Sequence, residues 1–174
     1  MIKIIAGKYK NRKLKYFNIQ SVRPTQARVR KSMFDTLGDI EGKTILDLFC
    51  GIGTIGIEGI SRGVKSVNFI DHNIKALNVL KKNLNLLDVN KESYSVVKSD
   101  VMNYLINEKN KYDLIIADPP YGKFSFIDFI PKISPILKRG GVFCYESKKE
   151  KNILDLNLKV KTFGNSQLIF WRNE

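Results

Sequence analysis

Asp118-Pro119-Pro120-Tyr121 follows directly on the apolar run Leu114-Ile115-Ile116-Ala117. The pattern predicts a buried strand that runs into a rigid, polar-tipped loop. Such a loop suits the chemistry of an exocyclic amino group on a nucleobase. That amine is a poor nucleophile, because its lone pair is delocalised into the ring. An enzyme must hold both N–H bonds and turn the lone pair towards an electrophile. Asp118 can accept one N–H, and the Pro119 carbonyl can accept the other. Proline has no N–H and a fixed φ, so the loop presents its carbonyls in a preset direction. The residue before a proline is held extended, which orients Asp118. Tyr121 offers a ring on which a flipped-out base can stack. Taken alone, the tetrapeptide also reads as a strand-ending turn with a solvated aspartate.

A second constellation lies upstream. Gly51, Gly53 and Gly56 form G-x-G-x-x-G after the run Leu46-Asp47-Leu48-Phe49, and Asp71 stands at the end of the next apolar run. Read literally this is a dinucleotide-binding fingerprint, with Asp71 accepting from ribose hydroxyls. Two features turn the reading elsewhere. Asp47 sits just before the glycine turn, where it would repel a pyrophosphate and attract a cationic amino-acid tail. Asp100, after the third strand, is placed to accept from an adenine amino group, or else to cap a helix. Asp47, Asp71, Asp100 and the Gly51/Gly53 loop together suit S-adenosylmethionine. That molecule has an ammonium, a ribose and an adenine but no phosphate, and its sulfonium makes the methyl group electrophilic.

These residues need a scaffold to bring them together. Apolar runs at Ile45–Phe49, Val67–Ile70, Tyr94–Val97, Leu114–Ala117 and Val142–Tyr145 read as strands, with helical stretches between them. The clearest helix covers 74–87, where Ala76, Leu77, Leu80, Leu84 and Leu87 keep helical spacing after Asn73 as a cap. Residues 125–137 are helix-like but should be interrupted by Pro131 and Pro135. Two final strands near Leu158–Thr162 and Gln167–Trp171 are expected to pair antiparallel, with Trp171 in the core. Strands alternating with helices predict an α/β fold with an open, mostly parallel sheet. Ligands bind beyond the carboxyl ends of such strands. Residues 2–17 read as a hairpin with a basic turn, Gly7 to Arg12. Thr25 is expected to cap a helix running to about Leu37, with Arg28, Arg30 and Lys31 projecting from its outer face.

Composition narrows the partners. The chain has 174 residues, enough for one domain with a large core, and a formal charge of +13. Residues 1–43 hold eleven Lys/Arg against three Asp/Glu. That asymmetry favours a polyanion as partner. Cys50 and Cys144 read as small buried hydrophobes in a reducing compartment. Neither they nor the single histidine, His72, have the spacing of a metal site. The absence of an apolar run of about 20 residues argues against a membrane span. Met1 to Ile5 does not read as a signal peptide, so a soluble cytoplasmic protein is expected.

At this point the chain resembles the bacterial RsmD family of small-subunit ribosomal RNA guanine-N2 methyltransferases, over almost its whole length. Ile5-Ala6-Gly7-Lys8, Arg12-Lys13-Leu14, Arg23-Pro24-Thr25 and Arg28-Val29-Arg30 resemble the family's N-terminal pattern. Asp47-Leu48-Phe49 with Gly51 and Gly53, then Ser61-Arg62-Gly63, resemble its cofactor-binding segment, and Asp118-Pro119-Pro120-Tyr121 its catalytic motif. The resemblance implies a seven-stranded methyltransferase sheet, Rossmann-like, with an N-terminal hairpin and helix extension over residues 1–40 of a single domain. It implies S-adenosylmethionine as cofactor, guanine N2 as target, and 16S ribosomal RNA in a small subunit or assembly intermediate as substrate. Arg23 and Thr25 are then expected to close over the cofactor. Arg12, Arg28 and Arg30 are expected on RNA phosphates, in a monomer. Competing readings are a DNA adenine-N6 methyltransferase, a nicotinamide-dependent oxidoreductase and a non-catalytic basic RNA-binding module.

Overall fold

The computed structural model describes residues 2–16, 26–149 and 158–174. Arg23 and Thr25 lie outside them. Seven strands form one sheet: β3 (Thr44–Leu48), β4 (Ser66–Asp71), β5 (Tyr94–Lys98), β6 (Tyr112–Ala117), β7 (Leu137–Lys148), β8 (Leu158–Phe163) and β9 (Ser166–Arg172). Their spatial order is β5-β4-β3-β6-β7-β9-β8. All neighbours from β5 to β7 pair parallel, while β9 runs antiparallel to both β7 and β8. The order reverses at β3, whose partners are β4 and β6. That reversal opens a crevice at the carboxyl ends of these strands.

The apolar runs become strands because both faces of the sheet are covered. Ile45, Leu46, Leu48, Ile115, Ile116 and Ala117 are all fully buried. Helix α2 (Thr54–Ser61), α3 (Ile74–Leu86), α4 (Val101–Asn107) and α5 (Phe126–Ile133) connect the strands. In α3 the Asn73 side chain accepts from the N–H groups of Lys75 and Ala76, the cap expected from the sequence. Pro131 lies inside α5 rather than breaking it, and the chain passes into a 3-10 turn, Ser134–Ile136, that contains Pro135. Trp171 is half-buried on the edge-ward strand β9, not enclosed in the core.

The N-terminal extension is a short antiparallel hairpin, β1 (Ile2–Lys3) with β2 (Lys13–Leu14), followed by α1 (Ala27–Leu37). Gln26 occupies the N-cap position of α1 and makes no side-chain cap bond. Buried Glu58 of α2 fastens the extension to the sheet. Its carboxylate accepts from the N–H groups of Ile5 and Ala6, at 2.8 and 3.0 Å, and from Arg62 Nε at 3.0 Å. Ser61 takes Lys8 N–H on its carbonyl and Tyr9 N–H on its hydroxyl. Gly7 has φ +78°, and a Cβ there would lie 1.7 Å from the Ser61 carbonyl oxygen, so this approach requires glycine.

Arg30 departs from the sequence expectation. It is 2% exposed, its Nη2 donates to the Lys3 carbonyl at 2.6 Å, and its Nε lies 3.6 Å from Glu58 Oε2. It packs inward with Val29, Met33 and Phe34 because Glu58 offers a buried counter-charge. Arg30 therefore ties α1 to the hairpin and α2, and is not available to RNA. Ser61 and Arg62 likewise hold the extension. Arg62 also lies 4.7 Å from the centroid of the Phe34 ring.

Candidate active site

A cleft of about 890 Å³ lies over the carboxyl ends of the central strands, within the size range of small-molecule sites. Its floor comes from the turn after β3. Phe49 (φ 57°), Gly51 and Gly53 all take left-handed backbone conformations there, so the strand expected to reach Phe49 stops at Leu48. At Gly53 a Cβ would meet Leu80 Cδ1 at 2.2 Å.

The N–H groups of the three glycines are all used inside the protein. Gly51 donates to Asp71 Oδ2 at 2.8 Å, Gly53 to the Cys50 carbonyl at 2.8 Å, and Gly56 to Asp47 Oδ2 at 2.9 Å. Gly56 lies in the first turn of α2, so the Asp47 carboxylate occupies the place where a phosphate would bind a helix N-terminus. Asp47 is 1% exposed. Burial pushes its carboxyl up to about 8, and the charges of Asp118 and Asp71 add to the rise against the Gly56 N–H. Asp71 is also buried, and its Oδ1 accepts from the N–H of Asn73 at 2.8 Å.

The wall opposite is the loop after β6. Asp118 is half-buried and Pro119 buried, while Pro120 and Tyr121 are exposed. The loop is pinned at its far end. The Tyr145 hydroxyl donates to the Phe124 carbonyl at 2.7 Å, and the Phe124 ring packs 5.4 Å from Phe49. Ser125 and Asp128 then form a capping box that starts α5. The loop is thus fixed between a strand and a capped helix, which limits the freedom of Asp118 and Tyr121.

Known proteins resemble this chain over most of its length. The model of the family described as Conserved hypothetical protein 95 matches residues 2–172. Ribosomal RNA small subunit methyltransferase D of Haemophilus influenzae is 35% identical, with 94% of this chain and 89% of that protein covered. The protein of the same name from Buchnera aphidicola is 31% identical, with 90% and 83% covered. The chain belongs to this methyltransferase family. Among solved structures, the Escherichia coli protein described as "Putative methyltransferase yhhF" superposes with a TM-score of 0.87 at 26% identity, covering 99% of this chain and 98% of its own.

Several residues named from the sequence of this family member meet in the cleft. Asp47, Gly51, Asp71, Asp118, Pro119 and Tyr121 all line it, as does Arg28 of α1. Asp100 does not. It is the N-cap of α4, accepting from the Asn103 N–H at 3.0 Å, although Ser99 beside it donates to the Asp71 carbonyl. Arg12 is exposed and its Nη2 donates to the Leu86 carbonyl at 3.0 Å, so it partly serves as a cap for α3. His72 is exposed at the cleft mouth, with Nδ1 3.6 Å from Asp71 Oδ1. Cys50 and Cys144 are both buried free thiols. Burial pushes the Cys144 thiol up, with the charges of Glu146 and Asp118 adding to it.

The sequence reading passed over Glu146 and Lys148 at the end of β7, and the β8–β9 turn from Phe163 to Ser166. All of them line the cleft. Glu146 is 6% exposed and accepts from the Tyr121 hydroxyl at 3.4 Å. Lys148 Nζ lies 5.8 Å from the centre of the Tyr121 ring. The signal was present, since Glu146 directly follows an apolar strand. Only the strand order, with β7 beside β6, shows that this strand end faces the cleft.

Proposed function

We propose that this protein transfers a methyl group from S-adenosylmethionine to the exocyclic N2 of a guanine in 16S ribosomal RNA. The observation that carries the reading is the use of all three glycine amides by internal acceptors beside a cleft lined by Asp47, Asp71, Asp118 and Glu146. A pyrophosphate would find none of those three N–H groups to hold it and four acidic side chains around it. A ligand with a cationic tail and sugar hydroxyls fits that donor set. S-adenosylmethionine supplies an electrophilic methyl group when bound.

In this reading Asp47, which holds its proton at neutral pH in the ligand-free protein, releases it to pair with the cationic amino-acid tail, and Asp71 accepts from the ribose. Each Asp71 oxygen retains acceptor capacity beyond its one backbone N–H. Gly51 and Gly53 shape the turn beneath. Asp100 contributes towards the adenine through the carboxylate oxygen that its cap bond does not use. Asp118 and the Pro119 carbonyl hold the two N–H bonds of the target amine, and Tyr121 stacks the base. The proton leaves after methylation, so no strong general base is required. The gain in rate comes from positioning. Arg12, Arg28 and the exposed lysines of the hairpin contact RNA phosphates. The substrate is the RNA within a small subunit or an assembly intermediate, the enzyme acts as a monomer, and its compartment is the cytoplasm.

Mass spectrometry of nucleosides from the ribosomal RNA of a strain lacking this gene tests the reading. The expected result is loss of one N2-methylguanosine from the small-subunit RNA, restored by the wild-type gene and not by an Asp118→Ala copy. An unchanged N2-methylguanosine content would contradict it.

A further inference from the structure

The Asp118 loop explains how an amine is held but not which base is chosen. Adenine, cytosine and guanine all carry an exocyclic amine that offers two N–H bonds. They differ in the ring atom beside it. In adenine and cytosine the neighbouring Watson–Crick nitrogen is an acceptor. In guanine it is N1–H, a donor.

We propose that Glu146 reads guanine N1–H and so sets the base specificity of the site; this rests on the methyltransferase reading above. The sheet register brings the two acidic groups together. β6 and β7 pair parallel with Ala117 opposite Tyr145, so Asp118, just past the end of β6, comes beside Glu146, which is still within β7. Neighbouring strands lie about 4.8 Å apart, so two side chains at matching positions stand side by side. Both carboxylates line the cleft, and the charges of both act on Cys144 beneath them. Tyr121, the stacking ring, donates its hydroxyl to Glu146 Oε1 at 3.4 Å. A base lying against Tyr121 therefore has Glu146 within reach of its edge. With the amine on Asp118, guanine offers N1–H to the next carboxylate. Adenine and cytosine would turn a lone pair towards a negative charge there, and a site built to accept an N–H rejects such analogues strongly.

The test uses the full-length enzyme with small ribosomal particles and labelled S-adenosylmethionine. A first reaction locates the methylated guanosine. If it yields no N2-methylguanosine, the functional reading and this inference fall together. A second reaction uses RNA in which that guanosine is replaced by 2-aminopurine riboside. This base keeps the N2 amine but presents an acceptor at N1. Wild type should prefer guanine by about 100-fold in kcat/KM. Glu146→Gln can donate to the 2-aminopurine N1, and its preference should fall below about 10-fold. Its melting temperature should match wild type. An unchanged preference in the variant would overturn the inference while leaving the methyltransferase reading intact. Should the variant fail to fold, wild type alone decides, because equal rates on the two bases would overturn it.

Discussion

Asp47 carries a consequence for pH that belongs to a single side chain. Its carboxyl is pushed up to about 8 in the folded protein, against about 3.9 unfolded. Below about 4 both states hold the proton and Asp47 costs nothing. As pH rises from there towards 8 the unfolded chain gives up a proton that the folded chain keeps, so stability is lost across that window. Asp47→Asn should remove this dependence. Its melting temperature relative to wild type should rise steadily between those pH values in ligand-free protein; a constant difference would refute the assignment. Asp71 and Asp118 should separate cofactor from base. Asp71→Ala should weaken S-adenosylmethionine by roughly 1.5–3 kcal/mol in calorimetry. Asp118→Ala should bind it normally and lose most turnover. Tight NADH binding by wild type would sink the cofactor assignment. These residues were legible because glycine spacing and an acid after an apolar run are local patterns. Arg30 was misread because its partner, Glu58, is 28 positions away, and nothing on α1 itself announces a buried counter-charge.

Among the elements, the hairpin depends on α2 for its place. Glu58 accepts from two hairpin amides and faces two arginines, of which Arg30 is buried. Removing one member of a buried ionic set leaves the other charge uncompensated. Glu58→Ala should therefore cost about 3–5 kcal/mol in denaturant unfolding. Loss of less than about 1 kcal/mol, the value of an exposed pair, would show that the cluster is not a lock. The strands and the α3 cap could be read from periodicity, since each is a local pattern. The start of α1 could not, because Gln26 caps without a side-chain bond. The 3-10 turn after α5 and the length of β7 were also hidden. β7 begins at Leu137, before the Gly140-Gly141 pair, through a register shift against β6 that only the pairing reveals.

Across the whole molecule the proposed function gives the +13 charge a use, as the surface that meets RNA. The hairpin exposes Lys8, Lys10, Arg12, Lys13 and Lys15, and Arg28 stands over the cleft. Phosphate contacts release counterions, so affinity for RNA should fall steeply with salt. Arg12→Ala and Arg28→Ala should each reduce the slope of log affinity against log salt by about one. Arg30→Ala should instead lower the melting temperature with the slope kept. The fold class was the most legible feature of all, because strands alternating with helices leave few topologies. The cleft was half legible: its glycine and aspartate floor was evident, and its β7 and β8–β9 wall was not. The central claim meets its most direct test in one assay. The purified enzyme is incubated with labelled S-adenosylmethionine and either small ribosomal particles or duplex DNA, and the nucleosides are resolved. Label in N2-methylguanosine from the ribosomal RNA is the predicted result. Label confined to N6-methyladenine from the DNA would contradict the account.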